Sequence, residues 1–216
     1  MNNKKKILAV ILSVAVIFCG RAQNDRPKPA NSKNETPVDC DFVFGPAKAI
    51  ECAHIADEIS GYSGEWPSNT NSTLFFKLIE GNLKLKSINF CGVYIDSLTS
   101  SIGRVPNLES LQLSSGNITR IPKEIGNLKK LKSLILGTSK DECMGNKVNV
   151  VPTEIGRCQS LEYLGLAFSE VRDLPKELER CMNLKVIDLS YNKVITKKTL
   201  ENLKRRFPKC EILYKQ

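Results

Sequence analysis

The chain has 216 residues, 41% of them hydrophobic and 25% charged, with 32 Lys and Arg against 23 Asp and Glu for a formal charge of +9. That composition supports one continuous apolar core and excludes a disordered or collagen-like chain. His54 is the single histidine, so a Ser-His-Asp or Cys-His arrangement without it is excluded, and the eight cysteines form no C-x-x-C pair.

The chain opens with Lys4-Lys5-Lys6, an apolar run of 13 residues from Ile7 to Cys19, and small residues at Gly20 and Ala22. Residues 1–22 therefore read as a secretory signal peptide, too short to span a membrane. Cys19 opens a second reading, a lipoprotein signal ending before a lipidated Cys19, against which the bulky Phe18 stands. Losing Lys4, Lys5, Lys6 and Arg21 with the signal lowers the formal charge from +9 to +5. Residues 23–39, with Pro27, Pro29 and Pro37, read as a flexible linker.

Residues 40–82 read as an N-terminal helical cap. Ala49, Ile50, Cys52, Ala53, Ala56 and Ile59 recur at helical spacing from Pro46 to Ile59, and Ser72 is placed to cap a second helix through Glu80. Cys40 and Cys52 are the candidate disulfide of this cap, since an exported domain gains from a staple.

From residue 83 to 199 the template L-x-x-L-x-L begins at Leu85, Leu108, Leu131, Leu161 and Leu184, with a weaker copy at Phe207; the intervals are 23, 23, 30, 23 and 23. A period in this range marks a repeat array, with one insertion of seven residues. Within each copy, alternating apolar residues suit a short half-buried strand. Between strands run Ile121-Pro122-Lys123-Glu124-Ile125-Gly126, Val151-Pro152-Thr153-Glu154-Ile155-Gly156 and Leu174-Pro175-Lys176-Glu177-Leu178. Proline there suits the first turn of a short helix, where its missing N–H leaves nothing unpaired.

These motifs resemble the leucine-rich repeat family in its P-x-E-[IL] variety, common in bacteria and plants, over residues 83–213. The resemblance implies an α/β leucine-rich repeat solenoid, with a curved parallel sheet on the concave face and short helices or 3-10 turns on the convex face. It also implies protein–protein recognition through the concave face. The family commonly places Asn after each strand; the matching positions read Val93, Gly116, Ser139, Ser169 and Asn192, so only Asn192 agrees. Residues 200–216 read as the C-terminal cap, with Leu200, Leu203 and Phe207 on one helical face. Residues 193–216 hold eight Lys and Arg against Glu201 and Glu211.

Stacking lines the outward residues up in columns. The first coils present Ser87, Ser110, Asn89 and Gln112; later coils gather Tyr163, Phe168 and Tyr191 around Asp188, with Ile135 and Val186 as an apolar floor. Rigid exposed aromatics are common anchors of recognition, so these six are the candidate partner-binding residues. Gly165 and Ala167 are expected to leave a shallow depression among them. The alternative is that the aromatics cover neighbouring coils or pack beneath the insertion 140–149. Cys158 and Cys181 occupy the slot of Leu128 as small hydrophobes, and Cys91 is expected either to pair with Cys143 in the insertion or to stay free.

No catalytic residue set, cofactor motif or metal site is legible; Asp141-Glu142 alone does not make a cation site. The expected partner is an unidentified protein, the alternative being a glycan bound by a surface-anchored adhesin, or a structural place in an envelope complex. Nucleic acid is not expected, and membrane contact only through a lipid anchor. The expected location is exported: secreted, periplasmic or at the cell surface.

Overall fold

The computed structural model describes residues 43–44, 53, 55–64, 71–139 and 144–216. Residues 1–42, with Cys19 and Cys40, lie outside the described residues, as do Cys52, His54 and 140–143.

The described strands form one parallel sheet in strict chain order: β1 (Val43–Phe44), β2 (Glu58–Gly64), β3 (Ser87–Val93), β4 (Ser110–Ser114), β5 (Ser133–Ile135), β6 (Tyr163–Gly165), β7 (Val186–Asp188) and β8 (Glu211–Leu213). Each coil therefore pairs only with its neighbours, as a solenoid requires. Ile88, Leu111, Leu134, Leu164, Ile187 and Ile212 stand in one register column. The first five are fully buried. Leu85, Leu108, Leu131 and Leu161 are fully buried beside them. Truncating one such leucine to alanine costs about 2–5 kcal/mol, because flanking coils cannot collapse into the void.

The convex side is built from 3-10 turns at Ser100–Arg104, Lys123–Asn127, Thr153–Arg157 and Lys176–Arg180. Pro122, Pro152 and Pro175 precede the last three with φ of −68°, −72° and −60°, which the pyrrolidine ring imposes. Ile125, Ile155 and Leu178 then turn inward and are fully buried. Gly126 lets adjacent turns approach: a Cβ there would stand 2.5 Å from the Glu154 carbonyl oxygen.

The N-terminal cap departs from the expected helix. Residues 55–57 are not helical and Glu58–Gly64 is a strand, so the chain does not run as a helix to Ile59. The spacing Ala53, Ala56, Ile59 is a coil spacing: Ile59 pairs with Ile88, and Ala56 takes the slot that Leu85 holds. The Asn82 amide donates to the Ala53 and Ala56 carbonyls at 3.0 and 2.9 Å, stapling this coil to the next. Helix α1 covers Ser72–Leu78, and its cap is Asn71, whose side chain accepts from Leu74 N at 2.9 Å. Ser72 is buried, and its hydroxyl accepts from Asp96 N at 3.3 Å.

At the other end, α2 (Lys197–Arg206) starts at Thr196, whose hydroxyl accepts from Thr199 N at 3.1 Å. Leu203 and Phe207 close the core. The Arg206 guanidinium donates to Glu179 Oε1 and to the Leu174 and Pro175 carbonyls, pinning α2 to the last convex turn. The final strand sits two residues off the register that the weaker template copy at Phe207 implies, in which Cys210 would stand opposite Ile187 and Glu211 opposite Asp188: instead Ile187 pairs with Ile212 and Asp188 with Leu213. Among the described residues no helix is long and apolar enough to cross a membrane.

Candidate functional site

At the exit end of the strands, four coils carry one residue with a left-handed backbone: Gly92 (φ 72°), Ser115 (67°), Phe168 (57°) and Tyr191 (59°). Glycine does so freely, whereas a bulky residue pays of order 1–2 kcal/mol. Phe168 and Tyr191 nevertheless hold adjacent positions, with ring centroids 4.4 Å apart at 17°. Their backbones are fixed by Phe168 N donating to the Ser190 carbonyl at 2.9 Å and Tyr191 N to the Lys215 carbonyl at 2.7 Å. The result is a half-buried, stacked aromatic ledge.

On the strands, Tyr163 pairs in register with Val186, and Ile135 stands one strand before Gly165. All three of Ile135, Tyr163 and Val186 are half-buried and form a floor. The Tyr163 hydroxyl lies 3.5 Å from the Thr138 hydroxyl.

Asp188 does not belong to the open surface. It is fully buried; one carboxyl oxygen accepts from Ser139 N and Oγ at 2.8 and 2.9 Å, the other from Ser190 N at 3.0 Å. A buried carboxyl with these donors around it is an anchor, and what it holds is the start of the insertion. The insertion then returns to β4, where the Met144 carbonyl accepts from Ser115 N at 2.7 Å. Its described ends thus lie against β7 at Ser139 and beside β4 at Met144. Gly165 and Ala167 are buried: a Cβ on Gly165 would stand 2.8 Å from the Gly137 carbonyl oxygen of the neighbouring coil, and one on Gly145 would stand 2.1 Å from the Ala167 carbonyl oxygen. The expected depression is filled by the chain itself.

Asn146 was missed by the sequence reading. Its amide donates to the Leu113 and Leu136 carbonyls at 2.6 and 2.8 Å, and its oxygen accepts from Ile118 N at 3.0 Å. Asn192 makes the same set with Leu166, Leu189 and Val171 at 2.7, 3.0 and 3.1 Å. The Asn position of the inserted coil is therefore Asn146, not Ser139, because the seven extra residues fall before it. The signal was present: Asn146-Lys147-Val148 repeats Asn192-Lys193-Val194.

The entry edge of the strands carries alternating charge: Lys86, Glu109, Lys132, Glu162 and Lys185. Lys132 meets Glu109 at 2.6 Å and Lys185 meets Glu162 at 2.5 Å. The hydrogen bond from Lys132, then its charge, holds Glu109 below the usual carboxylate value; Lys185 does the same to Glu162. These cations are thereby partnered within the fold.

Cys91 is disulfide-bonded, with a partner outside the described residues. Cys158, Cys181 and Cys210 are free thiols, donating to the Ile125, Ile155 and Leu184 carbonyls of the preceding coil. Burial pushes Cys158 up to about 12 and Cys181 to about 11. No group of three or more metal-ligating side chains gathers among the described residues.

A family model described as a leucine-rich repeat region matches residues 68–211. No curated protein matches the sequence. Among solved structures, the fold is similar to an internalin of Listeria monocytogenes, at 13% identity and a TM-score of 0.57, over 78% of this chain and 45% of that one. It is similar to a chain of the PEPR1–AtPEP1 complex, at 18% identity and a TM-score of 0.50, over 69% and 23%. A leucine-rich repeat protein of Leptospira interrogans aligns at 23% identity and a TM-score of 0.47, over 79% and 51%. The chain thus spans about half or less of each of these.

Proposed function

Because the chain belongs to the leucine-rich repeat family, we propose that it is a non-enzymatic module that binds a protein partner through its concave face. The contact residues in this reading are Ile135, Tyr163 and Val186 on the floor and Phe168 and Tyr191 on the ledge, with Asp188 as the buried anchor of the start of the insertion. The observation that carries the reading is the ledge. Two aromatics accept left-handed backbones in adjacent coils, where Gly92 and Ser115 show that small residues serve the turn. Rings so held lose little entropy on binding, which is what recognition anchors require.

We place the module outside the cytosol. The basic and apolar start of the chain supports this, as does the disulfide at Cys91, since such bonds persist in oxidising compartments. The test is affinity capture from native envelope and secreted fractions, with a folded Tyr163→Ala/Phe168→Ala/Tyr191→Gly variant as control. A protein retained by the native chain and lost by the variant supports the reading. Equal retention moves the site elsewhere. A glycan array separates the second reading, which the ledge also favours because stacked rings suit sugars.

A further inference from the structure

Beside the ledge lies a cavity of about 280 Å³, lined by Tyr191, Asn192, Lys193, Tyr214 and Gln216. That is slightly below the ~300–1,000 Å³ of a drug-sized site and suits a single large side chain. Most of its polar groups are already used. Asn192 spends its amide on three carbonyls, and its oxygen accepts from Val171 N. The Tyr214 hydroxyl donates to the Ile195 carbonyl at 3.3 Å and accepts from Gln216 Nε2 at 3.4 Å. Lys193 is left at the rim. Lys215 falls between the lining residues Tyr214 and Gln216, and its backbone carbonyl accepts from Tyr191 N at 2.7 Å.

Both lysines are exposed, and neither forms an ion pair among the described residues. They belong to the segment 193–216, in which Arg206 is the ion-paired base, while Lys197, Lys198, Lys204, Arg205 and Lys209 are also exposed and without ion pairs among the described residues. The strand-entry edge shows the contrast, since there successive coils alternate sign and neutralise one another. Uncompensated like charge opposes folding and attracts anions.

We propose that this end of the solenoid docks an acidic polypeptide segment: an apolar side chain enters the cavity against the Tyr191 ring, and flanking carboxylates meet Lys193 and Lys215. The cavity's tyrosine walls favour a polypeptide over a sulfated glycan or a lipid headgroup, which bring anions but no apolar side chain. The inference rests on the concave-face reading and specifies its partner.

The probe is a labelled synthetic peptide with one phenylalanine between two runs of glutamate, titrated against the native chain by fluorescence anisotropy. Comparison probes carry alanine for the phenylalanine or lysine for glutamate; heparin and phosphatidylglycerol vesicles are run beside them. Saturable binding that weakens with salt is expected. It should fall by roughly tenfold or more, about 1.4 kcal/mol, in Lys193→Glu/Lys215→Glu and in Tyr191→Gly. It should fall less in Lys204→Glu/Arg205→Glu, because neither residue lines the cavity and exposed charges are screened by salt. Circular dichroism and thermal melting confirm that each variant folds. Failure of the acidic peptide to bind, equal binding by all variants, or binding confined to heparin or vesicles would overturn the proposal. A protein captured through Tyr163 and Phe168 alongside a failed peptide titration would sink this inference alone and leave the concave-face reading standing.

Discussion

Ser139 and Asp188 lie 49 positions apart in the chain, yet the backbone N–H and hydroxyl of Ser139 both donate to one carboxyl oxygen of Asp188, at 2.8 and 2.9 Å. The pair links the residue that starts the insertion to β7, two strands on. It ties the chain that enters the insertion to β7 and withdraws the Asp188 carboxyl from the open concave face.

Asp188→Ala should therefore release the start of the insertion. Three donors lose their acceptor in a buried site, costing roughly 2–4 kcal/mol. Chemical denaturation would show the loss, and hydrogen exchange should rise at Ser139 and at Ser115, which is bound to the far end of the insertion. Unchanged protection at Ser115 would mean that Asn146 holds that end alone.

Asn146→Ala and Asn192→Ala should be equivalent, because each amide donates to the carbonyls of two adjacent coils at 3.0 Å or less and accepts from one N–H. A loss of about 2–4 kcal/mol is expected for each, with nothing comparable for Ser169→Ala, whose hydroxyl makes one bond of 3.5 Å. Urea midpoints for the three variants settle the comparison.

Phe168→Gly should change stability little. The substitution removes a stacking contact of about 0.5–1.5 kcal/mol and relieves a left-handed backbone of similar cost. A melting temperature near the native one, together with lost partner binding, would mark the ledge as kept for recognition. A large drop in stability would reassign it to packing.

Acid should weaken the fold through Glu80, Glu109 and Glu162. Glu80 is held below its ordinary value of 4.5 first by the Ser101 hydroxyl and then by Arg104; Glu109 and Glu162 are held down by Lys132 and Lys185. A depressed folded value gives stability that is complete above the unfolded value and lost as pH falls through the folded one. Urea midpoints should be level near neutrality and decline below about pH 4.5, less steeply in high salt because the pairs are exposed.

The thiols of Cys158 and Cys181, with values near 12 and 11, should resist alkylation at pH 8 in the folded protein and react once it is unfolded. Peptide mapping without reductant should find Cys91 in a linked peptide and Cys158, Cys181 and Cys210 as free thiols. Recovery of Cys91 as a free thiol would remove one support for export.

By itself the sequence determined the solenoid, the parallel sheet and the strand columns from Ser87 to Val186, though not the Asn slot of the inserted coil. A repeat's apolar spacing is local, and one coil can bury its leucines only against its neighbours. It also named the ledge aromatics. Only the tertiary structure decided the rest. The spacing Ala53, Ala56, Ile59 fits a helix and a coil alike, and pairing with Ile88 chose the coil. The outward position of Asp188 reads as exposed by alternation, but Ser139 and Ser190 hydrogen-bond its carboxyl in a buried site, and a bond between coils so far apart in the chain leaves no periodic trace. The sequence counts the bases of residues 193–216, but only the fold brings residues 191–193 and 214–216 together, through the hydrogen bond from Tyr191 N to the Lys215 carbonyl and the cavity they share.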